Sequence, residues 1–170
     1  MTEPLNVGVA ELKVSGNSDH LVSFGLGSCV AVAIFDPGAR VGGLAHVMLP
    51  ESRGREPKTM PGKFADTAIP CLVEKLIALG ARQKRLRCKI AGGAQMFEIP
   101  GAKSKEGVYA FGPYAHIGER NVEAVKLTLE EMKIPVVSED TGGRHGRTVR
   151  FDTFSGSLEV SSIFHGKNVL

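Results

Sequence analysis

Ser23-Phe24-Gly25-Leu26-Gly27-Ser28-Cys29-Val30-Ala31-Val32-Ala33-Ile34-Phe35-Asp36-Pro37-Gly38 leads into Ala39-Arg40-Val41-Gly42-Gly43-Leu44-Ala45-His46-Val47-Met48-Leu49-Pro50, and the reading of the chain turns on this stretch. Residues 29 to 35 are small, β-branched or aromatic and carry no charge, the pattern of a buried strand rather than an amphipathic helix. Asp36-Pro37-Gly38 is a turn signal, since proline presets φ and glycine accepts positive φ. The second apolar run therefore comes back beside the first and carries His46. A two-residue loop, Pro37-Gly38, sets Cys29 directly opposite His46. A four-residue loop, Pro37 to Arg40, sets Ala31 opposite His46 with Cys29 two positions along. Both keep Cys29 and His46 on one face, because strand side chains alternate with period two, whereas a three-residue loop separates them. Directly opposed Cβ atoms lie roughly 4.5–5.5 Å apart, and diagonal neighbours remain within reach of an imidazole.

A cysteine and a histidine brought together on paired strands are the equipment of a thiol nucleophile and its proton carrier. Gly25 and Gly27 let the chain turn sharply and let a substrate approach the backbone. Turn amides near Ser28 and Cys29 are placed to face a developing oxyanion. Those dipoles and a nearby imidazolium are expected to lower the thiol pKa. The competing reading is structural: a lone strand cysteine is a common core hydrophobe, and a strand histidine a common satisfied polar residue.

The 170 residues read as one domain, 1–170, with about the last five frayed. An apolar share of 42% and a mean hydropathy near zero describe a globular chain rather than a disordered one. The 21 glycines suit a sheet-rich protein with many turns. A net charge of +3 does not argue for nucleic acid. Three cysteines make no disulfide framework, which fits a reducing cytoplasm. No signal-peptide pattern opens the sequence and no apolar run reaches membrane-spanning length, so no direct membrane insertion is expected. His20, His46, His116, His145 and His165 are scattered with no metal-ligand spacing, so no metal site is expected.

In chain order, Val7 to Val14 reads as a half-exposed strand, and Leu21-Val22 starts a strand that runs into the Ser23–Cys29 turn. Residues 50 to 63 read as a loop. Ile69, Leu72, Val73, Leu76, Ile77 and Leu79 recur at helical spacing, with Asp66 or Thr67 as cap, Pro70 confined to the first turn and Gly80 as terminator. Leu86 to Ile90 reads as a strand, and Cys71 and Cys88 as packing residues. Ala91-Gly92-Gly93-Ala94-Gln95-Met96-Phe97 is a glycine loop after a strand, a weak phosphate-cradle pattern without the Walker lysine. Residues 98 to 117 read as loop, with Val108 to Phe111 as a short strand. Asn121 caps a second helix, with Val122, Val125, Leu129 and Met132 inward. Ile134 to Val137 reads as a strand, 139 to 143 as a turn, and Thr148–Thr153 with Leu158–Ile163 as a hairpin. Arg144, His145, Arg147 and Arg150 form a basic cluster, read chiefly as an edge strand guarded by charge and otherwise as an anion or acidic-partner site.

Taken together, Gly25-Leu26-Gly27-Ser28-Cys29-Val30, Ala45-His46-Val47-Met48-Leu49-Pro50, Ala65-Asp66-Thr67-Ala68, Gly92-Gly93-Ala94 with Met96-Phe97, Ile117-Gly118 with Arg120-Asn121-Val122, and Glu139-Asp140-Thr141-Gly142-Gly143 resemble, in order, the chemoreceptor glutamine deamidases of bacterial chemotaxis, CheD. The resemblance spans about Val7 to Ile163. It implies an α+β fold, a sandwich of β-sheets with two main helices packed outside, akin to the catalytic domain of the cytotoxic necrotizing factors. It implies a cofactor-free protein-glutamine hydrolase acting on methyl-accepting receptors, with Cys29 as nucleophile and His46 as its histidine. The family's third residue is typically a threonine; Ser23 stands at that position and keeps the hydroxyl. With Gly27 and Ser28 in the turn, these are the expected site residues. The implied partners are the receptor's cytoplasmic helices and a CheC-type phosphatase. The alternatives are a non-catalytic regulator that binds CheC and receptors, and a thiol hydrolase acting on glutamyl methyl esters.

Overall fold

Both faces of the uncharged run after Cys29 are covered, which is why it carries no charge. In the computed structural model, which describes residues 3–55, 59–96 and 116–170, the strands are β1 (Leu5–Asn6), β2 (Leu12–Ser15), β3 (His20–Leu26), β4 (Val30–Asp36), β5 (Val41–Val47), β6 (Arg87–Gly92), β7 (Val136–Thr141), β8 (Arg147–Asp152), β9 (Leu158–Ser162) and β10 (Gly166–Val169). Helix α1 spans Ala65–Ala78 and α2 spans Ile117–Glu131. One mixed sheet has the order β2-β5-β4-β6-β7 and the other β1-β3-β8-β9-β10. On β4, Val30, Val32 and Ile34 pack with Ile69, Leu72 and Leu76 of α1 and Val125 and Leu129 of α2. Ala31, Ala33 and Phe35 point the other way, onto Leu21, Val149, Phe151 and Leu158 of the second sheet. The molecule is thus an α+β sandwich in three layers: both helices, the β4 sheet, then the β3 sheet.

The turn after β4 is the longer of the two even loops. Val41 pairs with Asp36 and His46 with Ala31, so Pro37 to Arg40 form a four-residue connection. Asp36 is fully buried and organises it. Its carboxylate accepts from the amides of Gly38 (2.8 Å), Ala39 (3.0 Å) and Arg82 (2.8 Å), and from Arg85 Nε and Nη2 (both 2.9 Å). Burial alone would raise its pKa, but the Arg85 guanidinium and the three amides overcome that and hold the carboxyl well below the usual carboxylate range.

Several boundaries differ from the sequence reading. The expected first strand breaks at Ala10 (φ 64°), so β1 joins one sheet and β2 the other. Helix α1 starts a turn early at Ala65, after an uncapped Phe64; Asp66 instead accepts from the Ser52 amide (2.9 Å) and hydroxyl (2.8 Å). Pro70 therefore sits in the second turn, where the packing of Ile69, Leu72 and Leu76 outweighs its missing N–H. Gly80 does terminate α1: its φ is 101°, its amide donates to Ile77, and the Ala81 amide donates to Leu76. Residues 139 to 141 extend β7, paired with β6, and only Gly142 and Gly143 turn. The C-terminal residues are not frayed: β10 pairs along β9, and the Leu170 amide donates to Leu158. β8 is internal to its sheet rather than an edge, and buried Arg147 pairs with Asp140 at 2.9 Å. The segment expected to hold the short strand 108–111 lies outside the described residues.

Asp36→Ala takes the shared acceptor from three partly buried amide hydrogen bonds and from Arg85, and should cost about 3 kcal/mol, the lower end for a broken buried pair because the donors are partly exposed. At this chain size that lowers Tm by roughly 6–12 °C. Because the folded-state pKa of Asp36 is depressed, its contribution is present above the ordinary value of 3.8 and fades as pH falls below it. The Tm gap between wild type and variant should narrow in acid; a gap independent of pH would contradict this role.

Candidate active site

Three segments converge at one end of the inter-sheet layer. Alternation along β5 sends Leu44 between the sheets, and His46, two residues on, points the same way and is 1% exposed. Cys29 lies one residue before β4 and packs against the same inter-sheet cluster, beside Ala31, the cross-strand partner of His46. Sulfur and imidazole therefore share a face as diagonal neighbours. Ser23, fully buried on β3, approaches from the opposite sheet.

The proton positions follow from the acceptors present. Ser23 Oγ lies 2.8 Å from the Val7 carbonyl and 2.7 Å from His46 Nδ1. A carbonyl only accepts, so the single hydroxyl proton goes to Val7, and the hydroxyl oxygen accepts from Nδ1–H. That leaves Nε2 as the unprotonated nitrogen, buried and without a hydrogen-bond partner among the described residues. Burial pushes His46 below its ordinary value of 6.5, with the Val7 carbonyl pulling weakly the other way. Burial likewise raises the Cys29 thiol above its ordinary 9.0. This reverses the expectation of a thiol lowered by an imidazolium: an interior of low polarity penalises both charges, and the resting pair is a neutral thiol and a neutral ring.

The turn that carries Cys29 is fastened from behind by three bonds. The Gly27 carbonyl accepts from the Ala94 amide and the Cys29 carbonyl from the Gly93 amide, each at 2.8 Å. The Ser28 carbonyl accepts from Asn121 Nδ2 at 2.9 Å, and the same nitrogen donates to the Met48 carbonyl at 3.0 Å. The glycine loop after β6 thus braces the cysteine turn instead of cradling an anion. Glycine is required there, since a Cβ at Gly92 (φ 112°) would stand 2.3 Å from the Cys29 carbonyl oxygen, and one at Gly93 2.2 Å from Val122 Cγ2. Asn121 does not cap α2. The helix begins at Ile117 after His116 in a left-handed conformation, so Asn121 lies on its buried face with Gly118, Val125 and Leu129. Sequence reasoning missed this function, although a polar residue four positions before Val125 on the apolar stripe is the trace it leaves.

Outside the turn, Met96 lies against Gly27. A cleft of about 610 Å³ runs from Gly25 and Met96 past His145 to Ile163 and Phe164, which are 93% and 87% exposed. Among the described residues, no three His, Cys, Asp or Glu side chains converge as a metal site.

Comparison with known proteins adds a family context. Residues 48–162 match the family model described as CheD chemotactic sensory transduction. A Desulfitobacterium hafniense protein (strain DSM 10664 / DCB-2), named "Probable chemoreceptor glutamine deamidase CheD", is 43% identical over 170 residues, all of both chains. A Clostridium botulinum protein (strain Hall) of the same name is 45% identical over 159 residues, 94% of this chain and 93% of its own. The family-model match begins two residues after His46, so it is the full-length relatives whose likeness extends over Ser23, Cys29 and His46.

The neutral resting pair has a direct readout. Alkylation of Cys29, followed by mass spectrometry to separate it from Cys71 and Cys88, should be slow near neutral pH and still rise above pH 9.0. A rate already level below pH 7 would instead reveal an ion pair. The His46 ring should remain neutral below pH 6.5, with Nδ1 protonated in its ¹⁵N spectrum. Its depressed pKa makes stability fall as pH drops through 6.5 towards the folded-state value.

Proposed function

The chain belongs to the CheD family, and from that premise we propose that it converts selected glutamine side chains of chemoreceptors to glutamates, releasing ammonia. The name carried by its full-length relatives supports the substrate. The observation that supports the chemistry most directly is the 2.7 Å contact of Ser23 Oγ with His46 Nδ1, which leaves Nε2 as the basic atom on the face shared with Cys29.

In this reading Cys29 Sγ attacks the side-chain carbonyl carbon of glutamine while His46 Nε2 takes the thiol proton. The carbonyl oxygen becomes an oxyanion facing the Ser28 and Cys29 amides. His46 then returns its proton to the amide nitrogen, the C–N bond breaks and ammonia leaves a thioester on Cys29. A water attacks the thioester carbonyl and gives its proton to Nε2. The C–S bond breaks, the proton returns to sulfur, and the product is glutamate. Water is the only co-reactant. Ser23 holds the ring tautomer throughout; serine lacks the methyl that stiffens a threonine, but the Val7 carbonyl fixes its hydroxyl.

The same reading places the reaction on the cytoplasmic helices of methyl-accepting receptors, and so in the cytoplasm, with a CheC-type phosphatase as a binding partner; the family resemblance supports both. Partner binding by protein alkylated at Cys29 separates docking from chemistry.

Incubation with a receptor cytoplasmic fragment should release ammonia and give the mass increase of deamidation at particular glutamines. Cys29→Ala should abolish both, and His46→Ala should cost at least ~10³-fold in kcat. Ser23→Ala should lose roughly 10- to 10²-fold, part of the general-base contribution, whereas Ser23→Thr should keep most of the rate. Ammonia release by Cys29→Ala at the wild-type rate would end the proposal.

A further inference from the structure

The last rung between β4 and β5 is Val30 opposite Val47. Beyond it the strands part, one leading back to Cys29 and the other on to Leu49. The Asn121 side-chain amide stands in that fork and gives its two N–H bonds to Ser28 O and Met48 O, one on each side. Asn121 is fully buried. Its Oδ1 is also buried and has no hydrogen-bond partner among the described residues. An interior chosen for packing alone would not keep an amide whose oxygen goes unsatisfied, so the two N–H bonds are what hold asparagine here.

What those bonds accomplish follows from peptide geometry. A trans peptide unit is planar, and its C=O and N–H point in opposite directions. Ser28 C=O and Cys29 N–H belong to one such unit, and Gly27 C=O and Ser28 N–H to the one before. With Gly27 O bonded to the Ala94 amide and Ser28 O to Asn121, both N–H groups are turned away from the bracing loop and α2. Among the described residues neither amide donates a hydrogen bond. The first unit is held by backbone; the orientation of the second depends on one side chain. We infer that Asn121 is a positioning residue whose bond to the Ser28 carbonyl aims the Cys29 N–H at the oxyanion formed when the thiol attacks. The inference rests on the deamidase reading and adds to it a residue 92 positions from the nucleophile in sequence.

The test compares wild type with Asn121→Leu, which keeps the volume and removes the donors, and with Asn121→Ala. Two rates are measured: kcat and KM for ammonia release from a receptor fragment, and alkylation of Cys29 by iodoacetamide. Alkylation displaces iodide at a saturated carbon and forms no oxyanion, so it requires the thiol but not the amide donor. Loss of the aimed donor should lower kcat about 10²-fold while KM and the alkylation rate stay within about 3-fold of wild type. A kcat within about 3-fold of wild type overturns the inference. So does an alkylation rate that falls in step with kcat, because that marks a displaced sulfur rather than a misaimed amide. If neither variant folds, NMR of the wild type decides: the Asn121 side-chain protons should exchange slowly and couple across hydrogen bonds to the Ser28 and Met48 carbonyl carbons, and rapid exchange overturns the assignment. Wild-type protein that alkylates normally but releases no ammonia removes the deamidase reading itself, and this inference with it.

Discussion

Everything at the site depends on register between β4 and β5. Strand side chains alternate, so slipping this pairing by one residue would move His46 from the inter-sheet layer to the helix side, into the space filled by Leu72 and Leu76. The loop from Pro37 to Arg40 prevents the slip, and it does so through Asp36, a charge sealed at the foot of the hairpin and satisfied by loop amides and Arg85. A buried carboxylate is an expensive way to hold a turn unless every lone pair is engaged, and here the hydrogen bonds converge from both sides of the chain. The same hairpin therefore carries a structural charge at its closed end and the Cys29–His46 pair at its open end, seven strand residues apart.

The two sheets contribute unequally. The β4 sheet brings His46 and, through its leading turn, Cys29; the β3 sheet brings only Ser23, yet that hydroxyl defines the tautomer. Because Ser23 donates to Val7 on the short β1–β2 connection, the orientation of the ring depends on a segment that passes from one sheet to the other. The break at Ala10, which spoils the first strand as an alternating sequence, allows this crossing. An irregular boundary in the fold is thus part of the geometry of the site.

How far the sequence could be read follows the range of the forces involved. The β4–β5 hairpin, the shared face of Cys29 and His46, the Gly80 stop and the β8–β9 hairpin depend on neighbours a few residues away, and spacing alone indicated them. Spacing could not choose between the two even loops, since the chooser, Arg85, lies 49 residues from Asp36. Asparagine is a strong N-cap former, and Asn121 looked like one; the true boundary residue, His116, has no capping side chain to announce it. The glycine pair after β6 showed that a backbone approaches closely there, but not that the visitor is the Cys29 carbonyl. Ser23 came from family likeness rather than from pattern, because nothing local marks a strand serine as the partner of a ring in another sheet.

If Cys29 and His46 act as proposed, burial gives the pair a selectivity that a thiolate would lack. A thiolate–imidazolium pair reacts with any electrophile or oxidant that reaches it. In this interior both charges are disfavoured, so in the proposed mechanism sulfur waits as a thiol and gains nucleophilic character as its proton passes to Nε2. On this proposal the transfer separates charge in a medium of low polarity and becomes favourable when the negative charge moves on from sulfur to an oxygen met by aimed N–H dipoles. A saturated alkylating agent forms no such oxygen, whereas a carbonyl placed against the turn does. In the proposed mechanism the burial that suppresses the free thiol and the bracing that aims the amides are complementary: one lowers reactivity in general, and the other restores it for acyl chemistry alone.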